Sequence, residues 1–310
     1  MLSFVLAMAC TGPAATTDAS ADDSAAGDSG PVDVEPVWDN HRIETGSALN
    51  GVYASGKGVY VVGTNGFAWT GGAEGDWSFM TVDVGSKDFS DLWGQGAEGE
   101  LQMAASVYAG QVARYYDGAW HTDLLGDSSD MLCIGGSGPN ALYALGWGRS
   151  FHFDGTSWTY EDLPGEAQKV NDVYGVGEDA IAVGEGGISV RRKNGAWVSS
   201  DTGTTANLNS VAGDGIDDVW AVGADGTAIH WDGHEWKASD TGVTETLWAV
   251  FMADGSVFAV GNNGVALKHR NDEWTRLPTG VDNNLYAVHG ISSSNVWATG
   301  NRGMALQYKD

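Results

Sequence analysis

The sequence predicts an all-β chain, folded as a seven-bladed β-propeller of four-stranded antiparallel blades, and three observations carry this expectation. Trp38, Trp77, Trp120, Trp158, Trp197, Trp236 and Trp274 follow one another at intervals of 39, 43, 38, 39, 39 and 38 residues. A period near this length, repeated seven times, is the mark of a propeller. The chain carries 46 glycines against 6 prolines, the composition of many short strands joined by turns that need φ > 0. No stretch shows a sustained 3.6-residue apolar period, which disfavours α/β enzyme folds.

The clearest unit, LNSVAGDGIDDVWAVGADGTAIHWDGHEWKASDTG, divides into strands at 208–213, 219–223, 227–231 and 235–239. Gly-x-x-Gly separates the second strand from the third, and Asp-Gly the third from the fourth. Both suit tight hairpin turns. Other copies read VVGTNGF, AVGEGGI, AVGNNGV and ATGNRGM at the first turn, then YYDGAW, HFDGTSW and RKNGAW at the second. A lone four-stranded blade cannot bury both faces, whereas blades stacked radially cover one another. The seven tryptophans open the outermost strand and are expected to pack between blades. The last unit stops after strands at 285–288, 296–300 and 304–308, and the first begins with an orphan fourth strand at 37–44. Docking that strand onto the last three closes the ring without an incomplete blade.

Ahead of the repeats, the apolar run 2–9 ends in small residues before Cys10. The run resembles a bacterial lipobox, although Ala7 stands where Leu is usual and no Lys or Arg precedes it. The expectation is a leader at 1–9, a lipid on Cys10 and a tether at 10–36. The stretch 11–36 holds six carboxylates, no basic residue and no aromatic, so it lacks the apolar surface that would order it. The propeller itself spans 37–310. Thr11 after Cys10, rather than a retention Asp, points to the outer membrane or cell surface.

The formal charge is −26, from 41 acidic and 15 basic side chains. A nucleic-acid partner, or an anionic membrane surface, would need the opposite sign. The general reading of such acidity is solubility or a salty medium. The alternatives are a cationic partner or Ca²⁺. With two cysteines a disulfide framework is not expected, and Cys133, in the run Met131-Leu132-Cys133-Ile134, reads as a small buried hydrophobe.

The blade pattern L-x-x-V-x-G, V-W-A-V-G-x-x-G, W-D-G-x-x-W resembles the photosystem II assembly-factor propellers and the wider neuraminidase-repeat superfamily. The resemblance covers 37–310 and implies a sialidase-like ring that binds partner proteins without catalysis. The chain departs from the pattern in two ways. Asp and Gly are adjacent here (Asp154-Gly155, Asp232-Gly233), unlike the Asp box S-x-D-x-G-x-T-W. Its eight arginines are scattered, where the assembly factors have a basic patch.

Few residues suggest chemistry. Gly94-Gln95-Gly96-Ala97-Glu98-Gly99 matches G-x-G-x-x-G, but a strand rather than a helix follows, so it reads as a hairpin loop. His152, His230 and His269 occupy one repeat position on three blades, a placement expected to keep them from a common ion. Asp214, Asp217 and Asp218 do not have the spacing of an EF-hand and read as turn formers. A sialidase would need an arginine triad, a tyrosine nucleophile and an acid. Arg42, Arg114, Arg149, Arg191, Arg192, Arg270, Arg276 and Arg302 show no such grouping. No cofactor or metal is expected.

Function is expected where the repeat is broken. Five units keep Gly-x-x-Gly, and the two exceptions are neighbours: Ala105-Ser106-Val107-Tyr108-Ala109-Gly110 in the second blade and Gly146-Trp147-Gly148-Arg149 in the third. These loops are expected on one face, beside Lys87-Asp88 and residues 127–130. Tyr108, Trp147, Arg149 and Lys87 are therefore the candidate binding residues, able to stack on a sugar or grip a peptide. The expected role is a monomeric, non-catalytic binding or assembly scaffold at the cell envelope, with a protein or glycan ligand. The alternative is a carbohydrate-active enzyme built on the same ring.

Overall fold

The computed structural model describes residues 37–72, 76–96, 101–165 and 167–310. The expected leader at 1–9, Cys10 and the tether at 10–36 lie outside the described residues, as do residues 97–99 of the glycine motif. Among the described residues the strands form seven four-stranded sheets, antiparallel at the pairings. Their innermost strands define blades 1 to 7: Leu49–Ser55, Phe89–Gln95, Met131–Gly138, Val170–Val176, Leu208–Gly213, Leu247–Ala253 and Leu285–Ser292. In the fifth blade the strands are Leu208–Gly213, Val219–Gly223, Ala228–Trp231 and Trp236–Ser239. The last two begin one residue later than the turn signals suggest.

Blade 7 takes its outermost strand from the other end of the chain. Trp38–Asn40 pairs with Ala305–Lys309, in the register Trp38 to Tyr308 and Asn40 to Leu306. The expected strand at 37–44 is shorter as a regular ladder. The Asn40 side chain accepts the Arg42 N–H at 3.1 Å, a local bond that competes with extended pairing. His41 and Ile43 nonetheless donate their N–H groups to the carbonyls of Ala305 and Gly303, each at 2.8 Å.

The apolar interior is distributed rather than central. Seven clusters of buried side chains occur among the described residues, each drawn from two neighbouring blades. One of them joins Leu49, Val52 and Val61 of blade 1 to Ala287, Trp297 and Ala305 of blade 7. With that seam the ring is complete.

The repeated tryptophans belong to these seams, each reaching the preceding blade. Trp77 donates its indole N–H to His41 O at 2.7 Å, Trp158 to Asp123 Oδ2 at 2.8 Å, Trp197 to Glu161 Oε2 at 3.1 Å and Trp274 to Ser239 Oγ at 3.0 Å. Trp38, Trp120 and Trp236 pack with apolar side chains of the blade before them.

Gly-x-x-Gly closes as a 3₁₀ turn in blades 1, 4, 5, 6 and 7, with φ between 54° and 69° at the middle residue of the turn. The first glycine is extended, so its reason is space. A Cβ on Gly223 would stand 1.9 Å from the carbonyl oxygen of Asn207. Gly223→Ala should therefore destabilise the fold by about 1–3 kcal/mol, the usual cost of forcing atoms into packed space. The readout is the urea midpoint, and an unmoved midpoint would show that the turn yields freely.

Candidate functional site

The innermost strands line an axial channel of about 650 Å³. Each strand follows L-x-x-V-x-G or a close variant, and every position has its own task. The fourth residue supplies an aliphatic ring: Val52, Leu92, Ile134, Val173, Val211, Val250 and Val288. The fifth is often aromatic and lies over the sixth residue of the next blade. A Cβ on Gly94 would meet the Tyr53 ring at 2.4 Å, and one on Gly213 would meet Tyr174 at 2.6 Å. That glycine therefore belongs to its neighbour's aromatic rather than to a turn.

The second and third residues clamp blade to blade. Asn50, Asn171 and Asn209 donate side-chain N–H groups to Phe89 O, Leu208 O and Leu247 O at 2.7, 2.8 and 2.9 Å. Ser90 Oγ donates to Met131 O at 2.7 Å. At the third position Asp91 Oδ2 accepts from Ile134 N at 3.0 Å, Asp172 Oδ2 from Val211 N at 2.8 Å and Ser210 Oγ from Val250 N at 3.1 Å. Both carboxylates touch the channel space, but surrounding protein strips most of their hydration.

Burial dominates the electrostatics here. It raises Asp91 to about 6 against the backbone N–H groups of Ile134 and Leu92. Asp172 rises to about 7, again chiefly through burial and then through the charge of Asp91, despite hydrogen bonds from Ser210, Val211 and Val173. Cys133, at the third position of the blade between them, is pushed well up by burial and by both carboxylates, which makes it a poor nucleophile. His289 lies at the seam between blades 7 and 1, where its Nδ1 accepts from Ala54 N at 3.2 Å. Burial lowers it to about 4, so it is neutral at physiological pH.

At the mouth the clamp pattern stops. The second residues of blades 6 and 7 are Trp248 and Tyr286, rings set edge-on with centroids 6.2 Å apart. The Trp248 indole N–H donates to Asn262 Oδ1 at 2.7 Å. Neither residue stood out in the sequence, because LWAVF and LYAVH read as ordinary strand. Setting the second positions side by side (Asn, Ser, Leu, Asn, Asn, Trp, Tyr) is the signal that finds them.

The four candidates share this face but divide into two places. The segments between blades and the turns after the second strands meet here, as when Asn65 N donates to Asp88 Oδ1 at 2.7 Å. Tyr108 lines the mouth. Trp147 is 51% exposed, with Lys169 Nζ 5.0 Å from its ring centre. Lys169 itself lines the mouth and pairs with Glu185 at 2.6 Å. Arg149 turns away, bound through Nε to Asp127 Oδ2 at 2.9 Å and facing the Tyr160 ring at 5.9 Å. Lys87 stands between blades 1 and 2 and does not line the channel.

The remaining arginines and histidines of the sequence reading fall into structural settings. Arg114 pairs with Asp123 at 2.6 Å and Arg192 with Glu161 at 2.7 Å. No arginine lines the channel among the described residues. His152 stacks on Tyr143, while His230 and His269 both pack against Trp220, with centroids 4.7 and 4.6 Å away. Two repeat-equivalent histidines thus converge on one indole, where the sequence suggested divergence. Among the described residues no group of three potential ligands gathers for a metal.

No protein-family model matches the chain, and no curated protein matches it either. Solved structures do. YCF48 from Cyanidioschyzon merolae matches with a TM-score of 0.71 at 17% identity, over 88% of this chain and 98% of that one. YCF48 bound to D1 peptide gives 0.70 at 17%, over 90% and 98%. A streptogramin B lyase gives 0.75 at 14%, over 87% and 96%. The protein is a seven-bladed β-propeller. At such identities the likeness is one of fold, and the propeller is shared by YCF48 and by a lyase.

Proposed function

We propose that this propeller is a non-catalytic scaffold that takes a segment of a partner protein across the face holding the channel mouth. The observation that carries the reading is the placement of two exposed indoles: Trp248, 37% exposed, lines the 650 Å³ channel, and Trp147, 51% exposed, stands over Lys169 of the same lining. Large exposed rings beside a concave opening suit contact with another molecule. That a propeller of this fold has been solved bound to a peptide lends support. We further propose that the protein acts as a monomer, exported and held to the bacterial envelope by lipid on Cys10.

A photo-crosslinking residue at Asp282, on the mouth face, should yield adducts with a protein partner in intact cells. The same residue at Val198, on the outer strand of blade 4, should not. Trp147→Ala and Tyr108→Ala should each cut the Asp282 yield by about tenfold, the scale of a lost aromatic anchor. Equal yields from the two positions would defeat the reading, and adducts only with glycan would reassign the ligand. Separately, Cys10→Ser should move the protein from the membrane fraction to the soluble one. Unchanged fractionation would rule out the anchor.

A further inference from the structure

Clamps at the second strand position tie blades 1, 2, 4 and 5 to the next blade, yet blades 6 and 7 place large rings there. Blade 3 has Leu132 at that place, but the two successive blades 6 and 7 present the exposed Trp248 and the half-buried Tyr286, a break suited to contact with something outside the ring. Tyr108 and Trp147 stand on blades 2 and 3, across the mouth from Trp248 and Tyr286.

The charge between the two aromatic groups sets the chemistry. The acidic side chains lining the channel are Asp91, Asp172 and Glu185, and its one lysine, Lys169, is held by Glu185. No ion pair engages Asp91 or Asp172 among the described residues. Their oxygens accept only backbone N–H groups and the Ser210 hydroxyl. An anion would meet no free positive charge in this space, whereas a cation would meet the carboxyl groups of Asp91 and Asp172 in a channel that the Trp248 indole also lines.

Resting on the reading that this face takes a protein segment, we infer that the segment carries an arginine or lysine whose head enters the channel from Trp248 and Tyr286 toward Asp91 and Asp172. A guanidinium stacks on the indole and hydrogen-bonds to carboxylates with its edge, which favours arginine over lysine.

The test uses the full chain and three probes, N-acetyl-arginine amide, N-acetyl-lysine amide and N-acetyl-citrulline amide. Binding is followed through the Trp248 indole N–H resonance, assigned with Trp248→Phe. The arginine probe should saturate the shift, with lysine second. Citrulline, uncharged but nearly the same shape, should bind at least about tenfold more weakly, the scale of one desolvated cation–π contact. Asp172→Asn alters a clamp residue as well as the charge, so a second variant leaves both acids in place. Leu132→Lys puts an ammonium at the mouth of blade 3, between the blades bearing Asp91 and Asp172, and should abolish binding of the arginine probe while Leu132→Gln retains it. Equal affinity for arginine and citrulline, indifference to Leu132→Lys, or no shift with any probe would each overturn the inference. If the arginine response fails while the Asp282 adducts persist, the cation claim falls and the face reading stands. A saturating arginine response without adducts would instead leave a cation site and remove the protein segment.

Discussion

Deleting residues 37–44 should leave the chain without a stable monomeric fold. The segment supplies the outer strand of blade 7 through its pairing with Ala305–Lys309, and it places Trp38 and Ile43, 4% and 2% exposed, in two different seams. Removing a buried tryptophan costs about 3–5 kcal/mol and a buried isoleucine about 2–5. Together these approach the 5–15 kcal/mol by which a whole domain is typically stable. The deletion also bares the edge of Ala305–Lys309, an invitation to pair with another chain. Light scattering should find oligomers or aggregate, and thermal melts should lose cooperativity. Trp38→Ala alone should remain folded with a lowered midpoint. A monomer melting as the parent does would mean that the ring does not depend on its closing strand.

Acidification to mild pH should stabilise this propeller. Asp91 and Asp172 are raised from 3.8 to about 6 and about 7, so between pH 4 and 7 the folded chain binds more protons than the unfolded one. Their contribution is fully present below pH 4 and is lost as pH rises through 6 and 7. His289, lowered to about 4, acts in the opposite sense between pH 4 and 6.5 and offsets part of the change. Above 6.5 the change comes chiefly from Asp172. For Asp172 the integrated effect is on the order of 2–4 kcal/mol, allowing for partial hydration from the channel. Below pH 4 the trend should turn over. Asp127 and Asp154, held at about 2 by hydrogen bonds to their carboxylates, lose their stabilisation as they protonate. Urea unfolding at pH 5 and pH 8 measures the difference, and Asp172→Asn should shrink it. An identical pH profile in the variant would mean that Asp172 ionises as freely in the fold as in the unfolded chain.

Why the fold was legible while half of the site was not comes down to which residues repeat. A tryptophan every thirty-eight to forty-three residues survives because each fills the same seam, and the glycines around the turns survive because a carbonyl leaves no room for a Cβ. Such constraints are identical from blade to blade and show as periodicity. Tyr108 and Trp147 were visible because they interrupt a glycine pattern. Trp248 and Tyr286 were not, since an aromatic within an apolar strand looks like any other buried position, and only the register around the ring shows that their place belongs to a clamp. Arg149 was drawn to the site by sitting two residues from Trp147 in the chain. In space the two part, because Asp127 holds the guanidinium on the side of Tyr160.

The pairing of an aromatic in one repeat with a glycine in the following one means that no blade is self-contained in its packing. At the seam after blade 5 the fifth position is the small Ala212, and there the next blade carries Met252 in place of glycine. A duplicated or transplanted repeat would carry a bulge without its dent on one flank and a dent without its bulge on the other. Gene-level shuffling of such a wheel is therefore tolerated only in matched couples, and the heritable module is the junction rather than the spoke.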